Sequence, residues 1–330
     1  MTPTLLQEVF QSFNDRTVLI VGDVMIDAYY WGKVDRISPE APVPVVQVQR
    51  KENRLGGAAN VALNVKSLGA KAIMCSVVGD GSKGDVFRKT CKESGFSTEG
   101  IIDSTERMTT VKTRVISQGH HIVRIDDEIT KPLSSTDERN LLDCIQQILQ
   151  KQKIDVIIFE DYNKGVLTEK VIQTVLQWAK QMNIITAVDP KKDHFFSYKG
   201  CTLFKPNLKE LKEGLRVEFD KTDVDALESA IVQLRQRLEC NTTLVTLSEL
   251  GVVSYTGEDF YREPAHEREI NDVSGAGDTV ISVAALALAS GLTSMQAAQL
   301  ANLAGGLVCE KVGVVPIDKQ RLLEEALQNI

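Results

Sequence analysis

Continuous apolar runs alternate along this chain with segments whose apolar residues recur every three or four positions. The first run, Thr17–Gly22, has no polar interruption after its opening residue and reads as a strand buried on both faces of a parallel sheet. Further strands are predicted at Ala72–Val78, Val156–Phe159, Ile184–Val188, Thr202–Phe204 and Thr243–Leu247. Helical spacing predicts helices at Ala58–Leu68, Val86–Ser94, Asp137–Leu149, Glu169–Gln181 and Val224–Leu238, and an Ala-rich apolar helix from Thr279 to Leu292. Such alternation implies an α/β fold: a doubly wound, mostly parallel sheet flanked by helices, with ligands gathering beyond the carboxyl ends of its strands.

Two stretches break the alternation. Trp31–Arg50 carries Pro39, Pro42 and Pro44 and then the alternating Val46-Gln47-Val48-Gln49. Thr110–Asp126 reads as two short strands around Gln118-Gly119-His120-His121, a hairpin signal. The economical interpretation is a small β-sheet lid, built from segments near residues 31–55 and 110–126, over the carboxyl edge of the main sheet. A pair of long surface loops is the alternative.

Composition narrows the class. With 43% hydrophobic and 25% charged residues, the 330-residue chain is ordinary for a soluble globular protein, and no linker divides it, so residues 1–330 are expected to form one domain. A formal net charge of −7 argues against a nucleic-acid partner, since no basic excess exists to neutralise phosphates. Residues 1–16 lack a basic start followed by an apolar core, and Thr279–Leu292 is too short to span a bilayer, so a cytoplasmic location without membrane contact is expected. The six cysteines have no C-x-x-C spacing and are expected to be reduced.

The strongest chemical signal is Asp272-Val273-Ser274-Gly275-Ala276-Gly277-Asp278-Thr279. Small residues at 275–277 let backbone N–H groups converge on an anion at a helix N-terminus, with the Asp278 carboxylate beside them. That pairing suits phosphoryl transfer to an alcohol: the N–H groups hold developing charge and the carboxylate takes the hydroxyl proton. A plain helix N-cap would use the same residue types.

Weaker signals lie elsewhere. Gly56-Gly57-Ala58-Ala59-Asn60 opens a helix, and Asn60 can both donate to and accept from a sugar hydroxyl. Asp23 and Asp27 follow the first strand, where carboxylates can orient a polyol or simply close a turn. In Asn207-Leu208-Lys209-Glu210, Glu210 either organises a hydrated Mg²⁺ or completes a helix cap. Lys164, Arg36, Arg114 and Arg124 are candidate cations for a phosphate, against the ordinary fate of a solvated surface charge. A P-loop is absent, and Gly22-Asp23 lacks the G-x-G-x-x-G continuation of a dinucleotide site.

Taken in order, Gly56-Gly57 with Asn60, Asn207-x-x-Glu210 and Gly275-Ala276-Gly277-Asp278 resemble the ribokinase-like (PfkB) family of carbohydrate kinases, over essentially the whole chain. Within it, Asp35–Val45, Asp161-Tyr162-x-Lys164-Gly165 and Asp189-Pro190-Lys191 look like the branch that acts on D-glycero-β-D-manno-heptose 7-phosphate. Phe204-Lys205 departs from the more usual Leu-Thr of the family. The resemblance implies ATP-dependent phosphorylation of the anomeric hydroxyl to the 1,7-bisphosphate, for ADP-heptose and lipopolysaccharide core synthesis. A kinase for another sugar or sugar phosphate, and a non-catalytic sugar-sensing protein, are the alternatives. It also implies Asp278 as base, residues 275–277 as anion hole, and Asn207, Leu208, Lys209 and Glu210 at ATP, with Glu210 at Mg²⁺. Asp23, Asp27, Gly56, Gly57 and Asn60 would hold the sugar, and Lys164 with the lid residues Arg36 and Arg124 its phosphate. A monovalent cation is left open. The chain's end at Ile330 suggests the stand-alone form of the kinase, with a separate adenylyltransferase. The apolar alternation at Val43–Val48 needs cover, which suggests a homodimer through the lid.

Overall fold

A computed structural model describes residues 1–330. Helix α1 (Pro3–Ser12) precedes strand β1 (Thr17–Gly22) and two long strands, β2 (Val24–Ile37) and β3 (Pro44–Gly57). Helix α2 (Ala58–Ser67), strand β4 (Lys71–Gly79), helix α3 (Ser82–Glu93) and strand β5 (Ile101–Ser104) follow. The hairpin of β6 (Val111–Ser117) and β7 (His120–Asp127) leads to α4 (Ser135–Lys151), β8 (Val156–Glu160), α5 (Glu169–Gln181) and β9 (Ile185–Asp189). Strand β10 (Leu203–Phe204), helices α6 (Leu208–Leu215) and α7 (Val224–Leu238), and strands β11 (Thr242–Thr246), β12 (Val252–Tyr255) and β13 (Phe260–Glu263) come next. Helices α8 (Ala276–Ala289), α9 (Ser294–Cys309) and α10 (Lys319–Asn329) end the chain.

The large sheet has nine strands in the order β13-β12-β11-β10-β9-β8-β1-β4-β5, parallel throughout except for the antiparallel β12 and β13 at one edge. Strand β1 shows why its run is unbroken. Val18 and Ile20 point into one apolar core with α2, α8 and α9, whereas Leu19 and Val21 point into the other with α4, α5 and α7. Helix α8 is apolar all round because the sheet lies on one side of it and α2 and α9 on the others.

The two irregular stretches form a separate four-stranded sheet, β3-β2-β6-β7, as the lid reading expected. Its strands are longer than the sequence suggested. Strand β2 begins at Val24, only one residue after β1 closes, and pairs with β3 from Val24↔Gly57 to Ile37↔Pro44. Asp27 therefore sits inside a strand of the small sheet, paired in register with Arg54, and not in a turn.

Candidate active site

Register brings the polar groups of the crevice together. In the large sheet Gly22 lies opposite Glu160, Glu160 opposite Asp189, and Val188 opposite Phe204. Each apolar strand thus ends level with its neighbour, and the first polar residue of each emerges at the same edge: Asp23, Glu160 and Asp161, Asp189, Lys205. All five are buried. Helix α8 enters from the side, starting at Gly275, whose φ of 83° is the left-handed conformation that glycine adopts without a Cβ penalty.

Asp278 lies in the first turn of α8 with both oxygens engaged. Asn60 Nδ2 donates to Oδ2 at 2.6 Å, and the Tyr162 hydroxyl donates to Oδ1 at 3.0 Å. Glu160, Asp189 and Asp278 each bring one oxygen to within 4.8 Å of the others. Burial pushes the Asp278 carboxyl up to about 6; the Asn60 and Tyr162 hydrogen bonds oppose the rise and the charge of Asp189 adds to it. Burial, with the charges of Asp189 and Asp278, likewise lifts Glu160 well above the usual carboxyl range. The balancing cation is Lys205, whose Nζ lies 2.8 Å from Asp189 Oδ2. Burial works against the Lys205 charge, but Asp189 and Glu210 overcome it and its pKa rises.

Two buried oxygens in this region have no hydrogen-bond partner, Glu160 Oε2 and Asn60 Oδ1. An unpaired buried acceptor costs about 1–3 kcal/mol unless a ligand supplies a donor or cation. The chemistry fits a hydrated divalent cation beside Glu160 and Asp189 and a hydroxyl donor beside Asn60. A Cβ on Gly275 would come within 3.1 Å of Asn60 Nδ2, and one on Gly277 within 3.5 Å of Lys205 Nζ, so the small residues keep the cradle open.

Other candidates have different surroundings. The Asp23 carboxylate accepts backbone N–H bonds from Tyr162 (2.8 Å), Lys164 (3.0 Å) and Val166 (3.1 Å), which folds the loop after β8 onto the end of β1. Asp27 Oδ1 accepts from Arg114 at 2.6 Å. Gly56 and Gly57 let β3 pass close to the Asp27 side chain and the Asp23 main chain: a Cβ on Gly56 would lie 2.8 Å from Asp27 Oδ2, and one on Gly57 2.4 Å from the Asp23 carbonyl oxygen.

Asn207 and Glu210 form a capping box at the start of α6, each side chain accepting from the other's backbone N–H at 2.8 Å. The other Glu210 oxygen accepts from Lys191, which lies 4.0 Å from Asp189 and so ties the cap to the carboxylate cluster. Leu208 packs on the core shared with α4, α5 and α7, and Lys209 turns to solvent towards Glu213. Lys164 is paired with Glu128 at 2.8 Å. Arg36 is exposed on the outer part of the lid, and Arg124 is exposed and paired with Asp126.

Glu160, Asp189, Lys205 and Tyr162 were not singled out as site residues from sequence. The signal existed: Val156-Ile157-Ile158-Phe159-Glu160, Ile185-Thr186-Ala187-Val188-Asp189 and Thr202-Leu203-Phe204-Lys205 each end a buried strand on a charge, as Val18–Gly22 ends on Asp23.

The model of the pfkB family of carbohydrate kinases matches residues 15–320. The bifunctional protein HldE of Syntrophotalea carbinolica is 38% identical over 326 residues, 98% of this chain and 66% of that protein. Its counterpart in Helicobacter pylori strain J99 is 40% identical over 298 residues, 90% of this chain and 64% of that protein. This chain therefore spans about two thirds of the length of these relatives. Among solved structures, phosphofructokinase-2 from Escherichia coli in complex with potassium superposes with a TM-score of 0.76 at 17% identity, covering 94% of this chain and 98% of that one. Arabidopsis thaliana ribokinase complexed with ribose and ATP gives 0.71 at 15% identity, covering 94% and 99%. No helix is long and apolar enough to cross a membrane. The fold is ribokinase-like, and the chain belongs to the pfkB family of carbohydrate kinases.

Proposed function

We propose that this chain transfers the terminal phosphoryl group of ATP to the anomeric hydroxyl of D-glycero-β-D-manno-heptose 7-phosphate, giving the 1,7-bisphosphate for ADP-heptose and lipopolysaccharide core synthesis. One observation carries the phosphotransferase reading: the Asp278 carboxylate, buried and gripped by Asn60 and Tyr162, stands at the glycine-flanked start of α8. Asp278 takes the proton as the sugar oxygen forms its bond to the transferred phosphorus and ADP leaves. Backbone N–H groups at 275–277 hold the charge that builds on the phosphoryl oxygens. With its carboxyl near 6, Asp278 is ionised at neutral pH yet basic enough to accept a proton in the transition state.

The heptose phosphate as acceptor is supported by the lid run Asp35–Val45 and by the similarity to the bifunctional HldE proteins. Asn60, with Asp23 and Asp27 beside the Gly56-Gly57 end of β3, would orient the sugar. Lys164, with Arg36 and Arg124 from the lid, would meet its phosphate. Asn207–Glu210 would border the nucleotide. A Mg²⁺ ion accompanying ATP would be held by Glu160 and Asp189, with Glu210 bracing that cluster through Lys191, and would supply neutralisation of phosphate charge when bound. Since phosphofructokinase-2 was solved with potassium, a monovalent cation is a reasonable addition to the assay.

We also propose a homodimer through the lid, in a cytoplasmic protein. Both edge strands of the small sheet expose apolar residues, Val48 on β3 and Val123 and Ile125 on β7, and an uncovered edge of this kind invites a second copy. The tetrameric inhibited form of Escherichia coli phosphofructokinase-2, which shares the fold (TM-score 0.75), lends support to assembly.

The deciding assay is ADP release with a panel of both heptose 7-phosphate anomers, fructose 6-phosphate, ribose and fructose. Preference for the β anomer of heptose 7-phosphate supports the assignment, and preference for the other anomer corrects its stereochemistry. Preference for an unphosphorylated sugar moves the chain to another substrate within the family.

A further inference from the structure

Tyr162 accepts no proton and holds no phosphate, yet its hydroxyl is one of only two groups holding the Asp278 carboxylate. Its placement is built in several steps. Strand β8 ends at Glu160, and the next residues fold back because three alternate donors, the N–H groups of Tyr162, Lys164 and Val166, converge on the Asp23 carboxylate. Asp161 secures the same turn from the other side: Oδ1 accepts from the Asn163 N–H at 2.8 Å and Oδ2 from the Tyr198 hydroxyl at 2.8 Å. The Tyr162 ring is then braced by the Lys191 ammonium, 5.5 Å from its centroid. A buried carboxylate scaffold thus fixes a loop whose side chain ends at Asp278 Oδ1.

We propose that Tyr162 is a positioning residue for the transfer step: its hydroxyl, delivered by the loop strapped to Asp23, fixes the Asp278 rotamer so that the carboxylate faces the acceptor hydroxyl. The proposal rests on Asp278 being the base. Because Asn60 holds Oδ2 alone once the hydroxyl is removed, the carboxylate can rotate about its χ angles, and reactive alignment is lost more than ground-state binding.

The test is Tyr162→Phe, which deletes one oxygen and keeps the ring, compared with Asp278→Asn and the double variant. Turnover of Tyr162→Phe should fall about tenfold, with KM for sugar and for ATP changed less than twofold. Single-turnover rates at saturating substrates, on the folded fraction measured by near-UV circular dichroism, separate this from loss of stability. In the Asp278→Asn background, removing the hydroxyl should cost nothing further, because Tyr162 acts through that carboxylate. Parent-like turnover in Tyr162→Phe, beside an inactive Asp278→Asn, overturns the positioning role and leaves the base intact. The same tenfold loss in both backgrounds also overturns it, since Tyr162 would then act elsewhere. An active Asp278→Asn overturns the base assignment itself, and the proposal with it.

Discussion

The Lys205 ammonium lies 2.8 Å from Asp189 Oδ2, with both side chains almost wholly out of solvent. It is the more deeply buried of the two cations at the carboxylate cluster of Glu160, Asp189 and Asp278, the other being Lys191 at 4.0 Å from Asp189. Removing one partner of a buried pair leaves an uncompensated charge, at a cost of about 3–5 kcal/mol. Lys205→Met is accordingly expected to lower the unfolding free energy by about that amount. Urea unfolding at pH 7.5 measures it; a loss within error of zero would show that solvent or another cation takes over.

The pH dependence has two opposite parts. The Asp278 carboxyl is raised from 3.8 to about 6 by burial, so in the free enzyme kcat/KM should decline as pH drops below about 6 and the base becomes protonated. Stability responds in the other sense. Between the unfolded value and about 6 the native state binds the proton that the unfolded chain has released, so this group makes the fold more stable as pH falls through that window. Comparing the parent with Asp278→Asn by thermal unfolding from pH 4.5 to 7.5 isolates the term. The difference should vary with pH and level off above about 6; a flat difference would contradict the burial effect.

Gly275→Ala tests the cradle. The new methyl must tolerate a φ of 83° and a 3.1 Å approach to Asn60 Nδ2, so both the N-terminal turn of α8 and the Asn60–Asp278 bond are disturbed. A fall in kcat of about 10²-fold is expected, comparable to losing an oxyanion donor. Steady-state kinetics with intact far-UV circular dichroism would verify it, and unchanged kcat would mean that the backbone at 275 does not serve the transfer.

For the dimer, Ile125→Lys places a charge on the exposed edge strand β7, where Ile125 is 51% accessible. Sedimentation at micromolar concentration should convert from dimer to monomer. A parent chain that is already monomeric would refute the dimer, and a variant that still dimerises would assign the contact elsewhere.

Much of the fold could be read from hydrophobic periodicity alone. The spans of β1, α5 and α7 agree with their predicted limits because each is bounded by a strong signal, such as Thr168 capping α5. The lid was visible as a break in the pattern, but its strand lengths were not, since β2 begins immediately after β1 with no turn residues between them except Asp23. Helix α1, strands β5, β12 and β13 and helices α9 and α10 are not marked by the pattern; α9 is Ala- and Gly-rich with little polar–apolar contrast. At the site, Asp278 and Asn60 were legible because each stands beside glycines at a helix start. Glu160, Asp189 and Lys205 meet only through the inter-strand register, a relation between distant segments that no local pattern encodes. Asn207 and Glu210 illustrate the converse: their spacing was read both as a cap and as a metal support, and the capping box is formed.

The most direct measurement is the turnover of Asp278→Asn with ATP and heptose 7-phosphate, beside calorimetric binding of each substrate. Asparagine keeps the size and most of the hydrogen bonding but cannot accept the proton, so kcat should fall by about 10²–10⁴-fold while both dissociation constants change little. Turnover close to that of the parent would contradict the assignment of Asp278 as the group that deprotonates the acceptor.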